Sequence, residues 1–93
     1  MFDGVLYRMR EKIRARQYVM TDHGKKEMND DGLTIYDVER VILNGEILER
    51  QKDQETAEWK YRIGGETVSG EEIEVITKLS PTGKLVIMTV YVS

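Results

Sequence analysis

Residues 34–51 read TIYDVERVILNGEILERQ, and the fold turns on them. Their first half places Ile35, Val38, Val41 and Ile42 at helical spacing. Thr34 and Asp37 stand three residues apart at its start, a variant of the capping box. Asn44 and Gly45 close it, as residues tolerant of the left-handed conformation do past a helix end. Beyond Gly45 the apolar period drops from about 3.6 to about 2. Residues 46–51 then read as a strand with a polar outer face.

On the N-terminal side of this switch the chain reads mostly helical. Residues 4–16 carry Val5, Leu6, Met9 and Ile13 as one narrow apolar stripe, ringed by Arg8, Arg10, Lys12, Arg14 and Arg16. Those cations are read as a solvated face or as a nucleic-acid contact, and the ones in the last turn suit the helix dipole. Residues 18–20, Tyr-Val-Met, form a short β-prone run. Thr21 or Asp22 then caps a short helix starting near His23, which stops at Asn29-Asp30-Asp31-Gly32.

On the C-terminal side the pattern alternates. Residues 52–56 form a charged turn. Ala57, Trp59, Tyr61 and Ile63 alternate with Glu58, Lys60 and Arg62, which favours the core for Trp59 and Tyr61 over the alternative of base-stacking platforms. Gly64-Gly65 and Gly70 bracket a loop, and Ile73, Val75, Thr77 and Leu79 form the next apolar row. Ser80-Pro81-Thr82-Gly83 fits a turn with proline second and glycine fourth. Residues 85–92 are apolar on both faces, as in a central strand. The expected fold is therefore α+β in one domain, residues 1–93. It comprises an N-terminal helix, a short strand, two short helices and a four-stranded antiparallel sheet with helices on one face.

Composition narrows the chemistry. The 93 residues include no cysteine and one histidine, which removes disulfides, thiol catalysis, cysteine-ligated zinc and every two-histidine metal motif. No phosphate-binding glycine loop, dinucleotide fingerprint or strained serine elbow is present. The net charge of −3 divides unevenly. Residues 1–26 hold seven basic and three acidic side chains, and the other 67 residues carry a surplus of seven negative charges. A basic arm on an acidic body suits RNA or an acidic partner. The longest apolar run, residues 85–88, is far short of the roughly 20 residues that span a bilayer. No leader pattern opens the chain, so a cytoplasmic, membrane-free setting is expected.

Acid–base chemistry without metal or cofactor remains, carried by His, Tyr, Arg and Lys. RNA cleavage by internal transfer suits that set, because the 2′-hydroxyl of the substrate is the nucleophile. The protein then supplies a base, a cation for the phosphorane and an acid for the leaving oxygen.

Three segments carry a resemblance: Tyr18 to Met28 with His23-Gly24 at its centre, Gly32-Leu33-Thr34-Ile35-Tyr36-Asp37-Val38, and Asn44-Gly45-Glu46. With the ending Leu85-Val86-Ile87-Met88-Thr89-Val90-Tyr91, they resemble the DUF4258 family over about residues 17–91. That family is similar to the RelE/ParE and BrnT-like toxin superfamily. The resemblance implies a RelE-like fold and a ribonuclease toxin with an antitoxin partner. Two departures stand out. His-Gly replaces His-Ala, and Asn29-Asp30-Asp31 replaces a Glu-Arg pair, which removes a cation from the implied site.

The expected catalytic groups are His23, Tyr91 and Arg62, with Arg8, Arg14, Lys25 and Lys26 holding RNA. Each has a plainer alternative. His23 is alternatively a helix-start side chain bonded to a neighbouring strand. Tyr91 is alternatively a strand-end anchor, and Arg62 a cross-strand partner of Glu74. Two further readings stand beside the toxin: a non-catalytic interaction module of the same fold, and a homodimer held by the C-terminal strand.

Overall fold

The first helix, α1 (Asp3–Arg14), ends with Arg16 in the left-handed region at φ 56°. The amides of Arg16 and Gln17 bond back to the carbonyls of Ile13 and Lys12, a Schellman closure with arginine where glycine is usual. Leu6, Met9 and Ile13 are buried, as their spacing predicts. This computed structural model describes residues 2–93.

After β1 (Tyr18–Met20), Thr21 caps α2 (Asp22–Asp30), its hydroxyl accepting from the Gly24 amide at 3.0 Å. Gly32, at φ +69°, ends that helix. Thr34 then caps α3 (Ile35–Asn44), and the Thr34 and Asp37 side chains form a complete capping box. Val38, Val41 and Ile42 are fully buried.

The Asp37 carboxylate accepts from the Thr34 amide at 2.9 Å and from the Val68 amide at 3.1 Å. The Thr34 amide foremost, helped by Val68, holds the Asp37 carboxyl below its ordinary range. Folding thus favours its ionised form, and this contribution is full above the ordinary carboxylate pKa and lost as pH falls through the lowered one. Asp37→Ala is expected to cost about 1 kcal/mol at neutral pH. The gap between the two proteins should narrow below about pH 4. Urea unfolding at neutral and acidic pH checks this; equal stability at neutral pH would remove the box from the account.

Four further strands follow: β2 (Glu46–Lys52), β3 (Trp59–Glu66), β4 (Glu72–Leu79) and β5 (Leu85–Val92). The sheet order is β1-β5-β4-β3-β2. The expected four-stranded antiparallel sheet is therefore a five-stranded mixed sheet. The short N-terminal strand joins it in parallel to β5, Tyr18 opposite Leu85 and Met20 opposite Ile87. Strand β1 stops there, and α2 takes over the edge of β5. Thr21 Oγ1 donates to the Met88 carbonyl at 2.9 Å, and the Val90 amide donates to Glu27 Oε1 at 3.1 Å. The backbone groups a longer strand would have paired are satisfied by side chains instead.

Two further expectations are corrected. Gly64 and Gly65 lie within β3, paired with Glu74 and Ile73, rather than in a loop. A Cβ on Gly65 would stand 3.1 Å from Gly45 Cα and 3.5 Å from Val41 Cα, so glycine here lets α3 settle on the sheet. Ala57 belongs to the turn before β3, with φ 60°, and Trp59 is 41% exposed rather than core. Tyr61 and Ile63 are buried as expected. Arg10, expected on a solvated face, donates to the Ile42 and Gly45 carbonyls at 3.0 and 2.7 Å. It closes the C-terminus of α3, where cations are favoured.

Candidate functional site on the helix-free sheet face

Ile63, Val75, Ile87 and Val90 point into the core under the helices. The alternate residues of these strands face the other way. On that face, three adjacent strands bring Arg62, Glu74 and Tyr91 together. Arg62 Nη1 and the Tyr91 hydroxyl each donate to Glu74 Oε1 at 2.7 Å. Arg62 Nε also lies 3.8 Å from Glu49 Oε1.

A β-bulge delivers Tyr91 to this place. Ile76 pairs with Thr89 and Thr77 with Ile87, which leaves Met88 as the extra residue. Simple alternation from Leu85 and Ile87 would send Tyr91 into the core. The bulge reverses the phase, so Val90 is buried and Tyr91 is turned to the helix-free face.

The three groups tune one another. The Tyr91 hydroxyl foremost, and then the Arg62 guanidinium, hold the Glu74 carboxyl below its ordinary range. The Glu74 carboxylate in turn raises the Tyr91 phenol, with burial adding to the effect. At neutral pH the carboxylate is ionised and the phenol protonated. Glu74 Oε2 has no hydrogen-bond partner among the described residues. Lys60 and Lys78 share this face, held by Asp53 at 3.9 Å and by Glu58 at 3.0 Å.

The other expected site residues lie elsewhere. His23 sits on α2 with its side chain 68% exposed and Nε2 3.2 Å from Glu27 Oε1. Among the described residues no hydrogen bond or ion pair joins it to Tyr91 or Arg62. Glu27 Oε1 accepts from the Val90 amide, so the hydrogen bond to a neighbouring strand expected of His23 is made by Glu27. Arg8 and Arg14 are exposed on α1, on the helical side of the sheet, and Arg14 pairs with Glu11 at 3.3 Å. Lys26 pairs with Asp30 at 2.6 Å. Lys25 borders a hollow with Tyr18, Met20 and Met28. The cations expected to act with Arg62 are thus spread around the molecule.

The sequence names Glu74 only as the cross-strand partner of Arg62, a pairing the structure shows at 2.7 Å, and gives it no role of its own in the site. Tyr18 was also passed over as a titratable group. Its hydroxyl donates to Glu39 at 2.5 Å, and burial, reinforced by Glu39, pushes the phenol up to about 12.

An open cleft of about 610 Å³ adjoins the cluster. Glu46, Glu66, Glu72 and Glu74 line it, with Arg40 as its cation. Among the described residues no group of three His, Asp or Glu is placed to hold a metal ion, and no helix is long and apolar enough to cross a membrane.

The model of the family described as domain of unknown function DUF4258 matches residues 20–92. The chain belongs to the DUF4258 family. The match takes in α2, α3 and the sheet from the end of β1, and with them His23, Arg62, Glu74 and Tyr91; α1 and its arginines lie outside it. No curated protein and no solved structure matches the chain.

Proposed function

We propose that this DUF4258 domain is an endoribonuclease of the RelE-like toxin type, working without metal on the helix-free face of its sheet. One observation carries the reading: Glu74 Oε1 binds both Arg62 and Tyr91 at 2.7 Å while Oε2 has no hydrogen-bond partner among the described residues. A base, a cation and a proton donor are thereby held on adjacent strands.

In this scheme Glu74 Oε2 takes the proton from the 2′-hydroxyl, and the freed oxygen attacks phosphorus. Arg62 moves from the carboxylate to the phosphorane, where charge builds up. The bond to the 5′-oxygen breaks, and the Tyr91 hydroxyl supplies that oxygen's proton. The products are a 2′,3′-cyclic phosphate and a 5′-hydroxyl. The Glu74 carboxyl then loses its proton to solvent and the Tyr91 phenolate regains one from solvent, restoring both groups. Lys60 and Lys78 suit the approach of the strand. The glutamate-lined cleft repels it, so RNA would enter from the lysine side.

The test is incubation of single-stranded RNA with the purified chain in EDTA. Cleavage leaving cyclic phosphate ends is expected, and intact RNA at high enzyme concentration would end the proposal.

A second reading is favoured by the cleft itself. Four glutamates against one arginine suit a basic segment of a partner protein, as in a non-catalytic interaction module. Intact RNA together with salt-sensitive binding of a lysine- and arginine-rich peptide, lost on reversing the charges at Glu66 and Glu72, would select it.

A further inference from the structure

Burial on the helical side of β3 fades towards the β2–β3 turn. Ile63 is fully buried and Tyr61 nearly so, but Trp59, the sole tryptophan of the chain, is 41% exposed. The Arg50 guanidinium lies 4.1 Å from its ring centroid, and Lys52 Nζ lies 5.9 Å away. Arg50 also sits 5.8 Å from the Phe2 ring, which meets Tyr61 edge-on at 6.2 Å.

The cations here differ from those on the opposite face. Arg62, Lys60 and Lys78 each have a carboxylate partner, whereas Arg50 and Lys52 form no ion pair among the described residues. They stand two residues apart on one face of an edge strand, about 7 Å along it. The acids that flank them in sequence are engaged elsewhere or turned away. Glu49 faces Arg62, and Asp53 accepts from the Glu55 amide. Two unneutralised positive charges beside an accessible indole match a ligand carrying both negative charge and flat π-surface.

We propose that Trp59, Arg50 and Lys52 form a stacking site for single-stranded nucleic acid, the indole taking a base and the two cations the flanking phosphates. Bases of any sequence stack on such a ring, and arginine adds a cation–π contribution. An acidic peptide would satisfy the cations and leave the indole unused. Trp59 is three residues from Arg62, about 10 Å along β3 and on the other face. The platform therefore holds nucleotides flanking the Glu74 cluster, and in that role it rests on the ribonuclease reading.

An oligodeoxynucleotide tests binding apart from cleavage, since it lacks the 2′-hydroxyl. Titrated into the full chain, it should quench Trp59 fluorescence to saturation, whereas heparin, a polyanion without bases, should not. By anisotropy of a labelled oligodeoxynucleotide, Trp59→Ala should bind about tenfold more weakly, and Trp59→Phe should recover most of the loss. Arg50→Ala and Lys52→Ala should each lower the slope of log K against log salt by about one. Equal quenching by heparin, or unchanged binding by Trp59→Ala, overturns the proposal. RNA cleavage without Trp59 quenching would overturn it and leave the ribonuclease reading standing, whereas quenching without cleavage would do the reverse.

Discussion

Gly45→Ala is expected to lower the melting temperature by about 15 °C, a cost of about 3 kcal/mol in a chain of this size. Gly45 caps α3 where the helix end meets β3. A Cβ there would stand 2.5 Å from the Val41 carbonyl oxygen and would overlap that of Gly64. Both obstacles are backbone, one in the final turn of α3 and the other in β3, so no rotamer change relieves them. The helix would have to lift off the strand, opening the layer that buries Val38, Val41 and Ile42. It would also pull the Gly45 carbonyl from Arg10, loosening α1. Gly4→Ala supplies the control. Nothing lies within 4 Å of a Cβ at that position in α1, and alanine there should stabilise by up to about 1 kcal/mol. Thermal unfolding of the two variants should give shifts of opposite sign. A Gly45→Ala protein melting within a few degrees of wild type would mean that α3 and β3 are not locked as described.

Gly45 also illustrates what the sequence made legible. The pattern of residues 34–51 locates α3, its capping box and its end, because those depend on local spacing. Gly45 was read as a helix terminator needing the left-handed region, yet its backbone is extended, at φ −84° and ψ −162°. The demand for glycine comes from the neighbouring strand, and no local pattern records that. Gly64-Gly65 failed for the same reason, since close approach to α3 looks like a loop when read one residue at a time. Arg10 resembled its solvated neighbours because its acceptors lie at the end of α3 and its C-cap, 32 and 35 residues away. Trp59 was assigned to the core by alternation alone, but alternation gives the face of a residue and not how far the helices extend over it. At the candidate site, Arg62 and Tyr91 were legible as types on strands, and the Arg62–Glu74 pairing was one of two readings. Their convergence with Tyr91 depends on the Met88 bulge, one extra residue that an apolar run conceals. His23 stood out as the sole histidine, and the structure places it on α2 beside Glu27, with no hydrogen bond or ion pair to that cluster among the described residues.

Glu74→Gln should then reduce RNA cleavage by about 10²- to 10⁴-fold while leaving the fold intact. Glutamine keeps an acceptor for Arg62 and Tyr91 but cannot take the 2′-hydroxyl proton. The loss should fall on kcat more than on KM, because proton removal belongs to the transition state. Tyr91→Phe should lose activity by the other route, through a leaving oxygen that departs unprotonated. The two losses should not add, since the two side chains are hydrogen-bonded to each other. The pH profile tests Glu74 and Tyr91 together. The proposed mechanism requires an ionised Glu74, whose carboxyl lies below its usual range, and a protonated Tyr91, whose phenol lies above its own. The acidic limb should therefore fall below about pH 4 and the alkaline limb above about pH 10, with a plateau between them. Loss of activity in His23→Ala would move the base from Glu74 to His23. Full activity in Glu74→Gln would do the same. An inactive but folded Glu74→Gln, with His23→Ala unchanged, would place the chemistry on the face that the bulge at Met88 turns Tyr91 towards.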